Sequence, residues 1–120
     1  MKIIELTKSH RGGGKSTTFS GRPEGKKVRQ VLNIDKCDSD NEVYKVLVPE
    51  DTTTFNTSFF LGLFFESIKR LKNIDSFKKK YIIEFDNIED EEVREILLED
   101  IEDAYVRANN ELNGVSGLDR

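Results

Sequence analysis

The stretch Tyr44-Lys-Val-Leu-Val-Pro-Glu-Asp-Thr-Thr-Thr-Phe-Asn56-Thr-Ser-Phe-Phe-Leu-Gly-Leu-Phe-Phe65 decides the fold. Val43 to Val48 is Val-rich and strand-like, and Pro49 ends it because proline cannot continue a central ladder. A hydroxyl-rich loop follows and opens onto a helix from Thr57 to Lys72. The first two turns of that helix are apolar almost all round, so its start is expected to be buried, while Glu66, Lys69, Arg70 and Lys72 mark where it surfaces. Asn56, Thr57 and Ser58 stand at the helix N-terminus. One reading is that they cap free backbone N–H groups. The other is that a hydroxyl there receives or recognises a phosphate, since helix N-termini favour anions.

Upstream of this stretch, Lys2 to Thr7 reads as a short strand and Ser16 to Ser20 as a second. With the Gly-rich segment Ser9 to Lys15 between them, they suggest a hairpin. Pro23 opens a short amphipathic helix with Val28, Val31 and Leu32 inward and Lys26, Lys27, Arg29 and Gln30 outward. Asn33 to Asn41 is polar and dense in Asp, hence a surface loop. Downstream, Lys79 to Phe85 has the composition of a central strand covered on both faces. The closing helix runs from about Glu89 to Asn109, with Val93, Ile96, Leu97, Ile101, Ala104 and Tyr105 as its apolar stripe and Asn87 or Asp90 as its cap. The order β-β-α-β-α-β-α predicts an α/β fold, a small mixed sheet with helices packed on it, in a single domain over residues 1–109. Residues 110–120 are expected to form a flexible tail.

The chain has 120 residues, enough for one domain with a real core, and seven of its eight Phe lie between Phe55 and Phe85. A formal net charge of −4 argues against a dedicated nucleic-acid binder. Basic residues gather in the first half and near Lys78-Lys79-Lys80, and acidic ones from Glu84 to Asp103, so one basic and one acidic face are expected. Cys37 is the only cysteine, which suits a reduced, cytoplasmic setting. No apolar run reaches the ~20 residues of a membrane span, and the first residues lack a secretory signal's apolar core.

Three short motifs together resemble the STAS-like domains, relatives of the anti-sigma-factor antagonists. Gly21-Arg22, Gly25 and Val28-Arg29 are similar to that family's first helix. Phe55-Asn56-Thr57-Ser58-Phe59 with Leu63-Phe64 is similar to its turn into a buried helix. Ile82-Ile83-Glu84-Phe85-Asp86-Asn87, followed by Val93, is similar to its late strand and closing helix. The resemblance implies a non-catalytic regulatory or adaptor domain with a protein partner, conceivably a kinase-like ATPase, and no cofactor. It implies Ser58, with Thr57 beside it, as the counterpart of the antagonists' phosphorylated serine, and Thr54, Asn56, Thr57 and Ser58 as the contact surface. The chain departs from the pattern at Val48-Pro49, where the family has Asp-Phe, and at Leu61-Gly62, where acids are frequent. Phe59 stands where the antagonists have glycine.

Other chemistry is weaker in the sequence. Gly12-Gly13-Gly14-Lys15-Ser16 has the end of a phosphate-binding loop, but Ser9 stands where its first glycine belongs. An alternative function is therefore phosphate or nucleotide binding through Arg11, Lys15 and Arg22. A lone His10 and a lone Cys37 give no metal-ligand spacing, so no metal is expected, nor a Cys-His nucleophilic pair. Lys78-Lys79-Lys80 and Lys69-Arg70 read as solvated edges. Glu91, Glu95 and Glu99 form a like-charge row that a basic partner could relieve. A homo-oligomer burying the apolar start of the second main helix is a further expectation.

Overall fold

A computed structural model describes residues 1–11 and 16–114. The seven expected elements occur in the expected order, joined by four shorter ones. Strands are β1 (Lys2–Glu5), β2 (Thr18–Phe19), β3 (Tyr44–Leu47), β4 (Thr54–Phe55) and β5 (Tyr81–Glu84). Helices are α1 (Arg22–Val31), α2 (Ile34–Asp38), α3 (Thr57–Leu71), α4 (Ile74–Lys80) and α5 (Glu91–Leu112), with a 3-10 turn at Lys8–Arg11. The fold is α/β, with helices packed on a three-stranded sheet and a two-stranded one, β2 with β4, whose described pairings are all parallel.

The expected hairpin between the first two strands does not form. Instead β1 pairs with β3 and β2 with β4, so two chain segments run side by side, part, and rejoin. Leu6 N donates to Leu47 O at 2.9 Å before the gap, and Thr53 N to Thr17 O at 2.8 Å after it. Parallel partners need a crossover, which α1 and α2 supply. The 3-10 turn at Lys8–Arg11 carries the chain out of the sheet where a hairpin would have reversed it.

Strand order is β1-β3-β5, so β5 lies at an edge and β3 at the centre, contrary to the expectation for residues 79–85. Nor is β5 covered on both sides. Tyr44, Val46 and Tyr81 turn inward and are buried, whereas Ile82 is only half-buried and Ile3 on β1 is 62% exposed. The apolar run of β5 instead reflects how much of the inner layer it must meet. Tyr81 stacks on Phe77 of α4 and lies 5.2 Å, ring to ring, from Phe64 of α3.

The core centres on α3, as its sequence requires. Phe59, Phe60, Leu63, Phe64 and Ile68 are fully buried among Phe19, Phe55 and Phe77. The apolar start of α3 is thus covered within the chain, which removes that ground for a homo-oligomer. On α5, Leu97, Ile101, Ala104 and Ala108 face the core, but Ile96 of the expected stripe is 50% exposed. Asp90 caps α5, its carboxylate accepting from Glu92 N and Val93 N, and the helix runs to Leu112, beyond the expected end at Asn109. Of the tail, only residues up to 114 are described. No helix among the described residues is long and apolar enough to cross a membrane.

Candidate functional site

The loop into α3 is built by Asn56. Its side-chain oxygen accepts from Ser58 N at 2.8 Å, the N-cap bond that satisfies one free donor of the helix. The Ser58 hydroxyl donates to the same oxygen at 2.7 Å and accepts from Gly21 N at 3.2 Å. Behind it the Phe19, Phe55 and Phe59 rings lie 5.0–5.4 Å apart and are fully buried, so Phe59 turns away from Ser58 and does not cover it. Asn56 is exposed, and Thr54, Thr57 and Ser58 are half-buried. Phe55 N donates to Asp100 of α5 at 3.0 Å, a side chain standing in for the missing next strand.

Gly21 is the N-cap of α1, at φ +91°, a conformation that favours glycine. Two glycines bring α1 onto α3. A Cβ on Gly25 would lie 2.2 Å from Phe59 O, and one on Gly62 2.1 Å from Arg22 O. The helices therefore touch backbone to backbone, and the N-termini of both converge on the Ser58 hydroxyl. Gly62 is what this contact demands.

Beside this loop, the carboxyl ends of β1, β3 and β5 border two adjoining depressions of about 380 and 420 Å³, lined by Thr7, Lys8, Pro49, Glu50, Asn87 and Asp90 among others. Crevices at the carboxyl ends of parallel strands are frequent ligand sites. Arg11 does not open into this one. Its side chain is fully buried, its Nη1 and Nη2 meeting Asp51 at 2.7 and 3.0 Å, with Thr52 Oγ1 a further 3.0 Å acceptor. This pair clamps the loop after β1 to the loop after β3 where the two segments part. The guanidinium holds the Asp51 carboxyl down at about 2. Arg11 Nε finds no partner among the described residues.

Of the three residues expected to bind an anion, the two that are described are already paired with carboxylates of the chain. Arg11 is spent on Asp51, and Arg22 meets Glu111 of α5 at 3.2 Å and lies over the Phe65 ring. Lys15 lies outside the described residues. His10 accepts from Thr7 N at 3.0 Å through Nδ1, and burial lowers its pKa. Cys37 is half-buried on α2, remote in the chain from His10, and no cluster of metal-ligating side chains occurs among the described residues.

A second constellation escaped the sequence reading. Arg29, expected outward, is buried, while Val31, expected inward, is 73% exposed. The inward face of α1 is Gly25, Val28 and Arg29, a signal at i, i+3, i+4 that assigning every Arg to solvent concealed. Arg29 bonds Leu63 O and Ser67 Oγ at 2.8 Å, Asp35 at 2.7 Å and Asp38 at 2.6 Å. Asp38, its side chain 1% exposed, also accepts from Tyr81 at 2.7 Å. Arg70 closes the cluster at 3.2 Å from Asp35 and 3.3 Å from Asp38. Asn33 to Asn41 is thus not merely a surface loop: it holds α2, whose aspartates neutralise Arg29. Lys80 likewise is not a solvated edge. It is buried and bonds Asp40 O, Asp40 Oδ1 and Glu42 O at 2.8–2.9 Å. Tyr44 donates to Asp40, and with Lys80 holds that carboxyl at about 2.

No protein-family model, curated protein or solved structure matches the chain.

Proposed function

We propose that this chain is a STAS-like regulatory or adaptor domain, cytoplasmic and non-catalytic, that acts by protein contact. Its contact surface is the loop from Thr52 to Ser58 with the first turn of α3, and Ser58 is its switch. The observation that carries the reading is the hydroxyl of Ser58, half-buried and bonded to both Asn56 and Gly21 N. A phosphate on that oxygen adds about −1.5 to −2 charges at pH 7. It would face the N-termini of two helices, which favour negative charge. It would also displace the hydroxyl from Asn56 and Gly21, altering the surface a partner meets. The partner that fits is a kinase-like ATPase able both to bind the loop and to phosphorylate it.

The alternative, phosphate or nucleotide binding through the Gly-rich loop, has less support, because Arg11 and Arg22 already answer carboxylates of the chain. Recovery of partners from a native-host lysate tests the proposal with wild type, Ser58→Ala and Ser58→Asp. Loss or exchange of a partner with Ser58→Asp alone is expected. Identical recovery with all three proteins removes Ser58 as the switch.

A further inference from the structure

The three-stranded sheet ends at β5, and the free edge of that strand is open. Glu84 O accepts from Val48 N at 3.3 Å, so Ile82 and Glu84 turn their backbone groups to β3, and Tyr81, Ile83 and Phe85 turn theirs away from it. Tyr81 N is spent on Phe77 O, and Phe85 O on Ile88 N. That leaves the Tyr81 carbonyl, both groups of Ile83 and the Phe85 N–H without a hydrogen-bond partner among the described residues. Proteins close such edges with charged side chains or proline. The opposite edge, β1, carries exposed Lys2 and Glu5 within its four residues. On β5 the one charge, Glu84, is turned to Lys45 of β3 at 3.3 Å, and Lys80 just before the strand is buried against Asp40 and Glu42.

At the carboxyl end of this edge a depression of about 360 Å³ separates it from α5, lined by Phe85, Asp86, Glu91, Arg94, Glu95 and Leu98. Leu98 is 53% exposed. The lining holds three acids and one base, and none of the four has an ion pair among the described residues.

We propose that β5 takes up an extended segment of another protein as an added strand, seated between its free edge and α5. The unpaired groups identify the occupant as extended main chain, because a strand presents donors and acceptors at the matching spacing. The period of two then sets its side chains. One apolar residue lies against Phe85 and Leu98, and a basic residue two positions along, on the same side, answers the excess of acids. A second copy does not meet this pattern. Its β5 brings the same excess of acids, and on its β1 the same-side neighbours of exposed Ile3 are Met1 and Glu5, neither of them basic. The site uses no residue of the Thr52 to Ser58 loop and stands whether or not Ser58 is a switch.

Amide hydrogen exchange followed by NMR tests this on the full chain, alone and with peptides that it selects from a displayed random library of about eight residues, the length of an ordinary strand. In the chain alone, Ile83 and Phe85 N–H exchange at least about tenfold faster than Ile82 and Glu84 N–H, which face β3. With the most enriched peptide the first pair slows by about tenfold and the second does not change. The enriched peptides alternate, with an apolar and a basic residue two positions apart. Leu98→Asp alters an exposed helix position, circular dichroism verifies that it stays folded, and it binds the peptide at least about tenfold more weakly. Slow exchange of Ile83 in the chain alone overturns the proposal, because the edge would then be covered already. So does a library that yields no enriched peptide, a bound peptide that leaves Ile83 exchange unchanged, or undiminished binding by folded Leu98→Asp.

Discussion

Gly62→Ala tests the backbone contact that joins α1 to α3. In an exposed helix interior this change stabilises by about 1 kcal/mol, because alanine has the better helix propensity. Here the added Cβ would lie 2.1 Å from Arg22 O and 2.9 Å from Lys26 N. Favourable contact needs about 3.5 Å, so the helices must move apart by roughly 1 Å or more. Both neighbours are helical backbone and cannot swing aside as a side chain would. Overpacking of this kind costs about 1–3 kcal/mol, and more where backbone must shift. The same movement stretches the 2.8 Å bonds from Arg29 to Leu63 O and Ser67 and the 3.2 Å bond from Gly21 N to Ser58. A net loss of about 3 kcal/mol is expected, which lowers the urea midpoint by roughly 1–3 M at m-values of about 1–3 kcal/mol/M. Equilibrium unfolding in urea measures it. An unchanged or raised midpoint would refute the crossing geometry, and with it the convergence of two helix N-termini on Ser58.

Arg29→Met keeps much of the volume but leaves Asp38 buried without its guanidinium, and is expected to cost about 3–5 kcal/mol. A loss under about 1 kcal/mol in the same urea assay would mean that the cluster is incidental. Asn56→Ala removes the N-cap of α3 and should cost about 1 kcal/mol, with Asn56→Ser retaining most of it. Acid is expected to destabilise the fold through Asp40 and Asp51. Both are held at about 2 in the folded chain, below the ~3.9 of an unfolded aspartate, so their contribution is full above about pH 4 and lost as pH falls towards 2. Urea midpoints taken across that window should fall less steeply for Asp51→Asn than for wild type, and parallel slopes would count against the Arg11–Asp51 clamp.

What the sequence disclosed depended on how local the governing physics was. The Val-rich strand, Pro49, the Asn56 cap and the apolar start of α3 are read from neighbours in the chain, and all lie where expected. Arg29 and Lys80 could not be read that way. Their burial is decided by Asp35, Asp38 and Asp40, carboxylates that only folding brings near, so each looked like an ordinary surface cation. The pairing of β1 with β3 was equally hidden. Alternation and a Gly-rich connection suit a hairpin, and parallel pairing rests on a crossover some forty residues long in which no single motif announces it. Within the candidate site, the capping pair of Asn56 and Ser58 was legible from residue type and position. The bond from Gly21 N to Ser58 was not, since it follows from the Gly25 and Gly62 contact between helices distant in sequence. Arg11 reads as a free cation in the sequence because Asp51 lies 40 residues away.

That Ser58 switches a protein contact can be checked on the mass of the intact chain isolated from its native host, followed by fragmentation to locate any added group. A fraction of molecules heavier by one phosphate, carried on Ser58 and absent from Ser58→Ala, is expected. A chain without added phosphate under every growth condition, or with phosphate confined to residues outside the Thr52 to Ser58 loop, would contradict it.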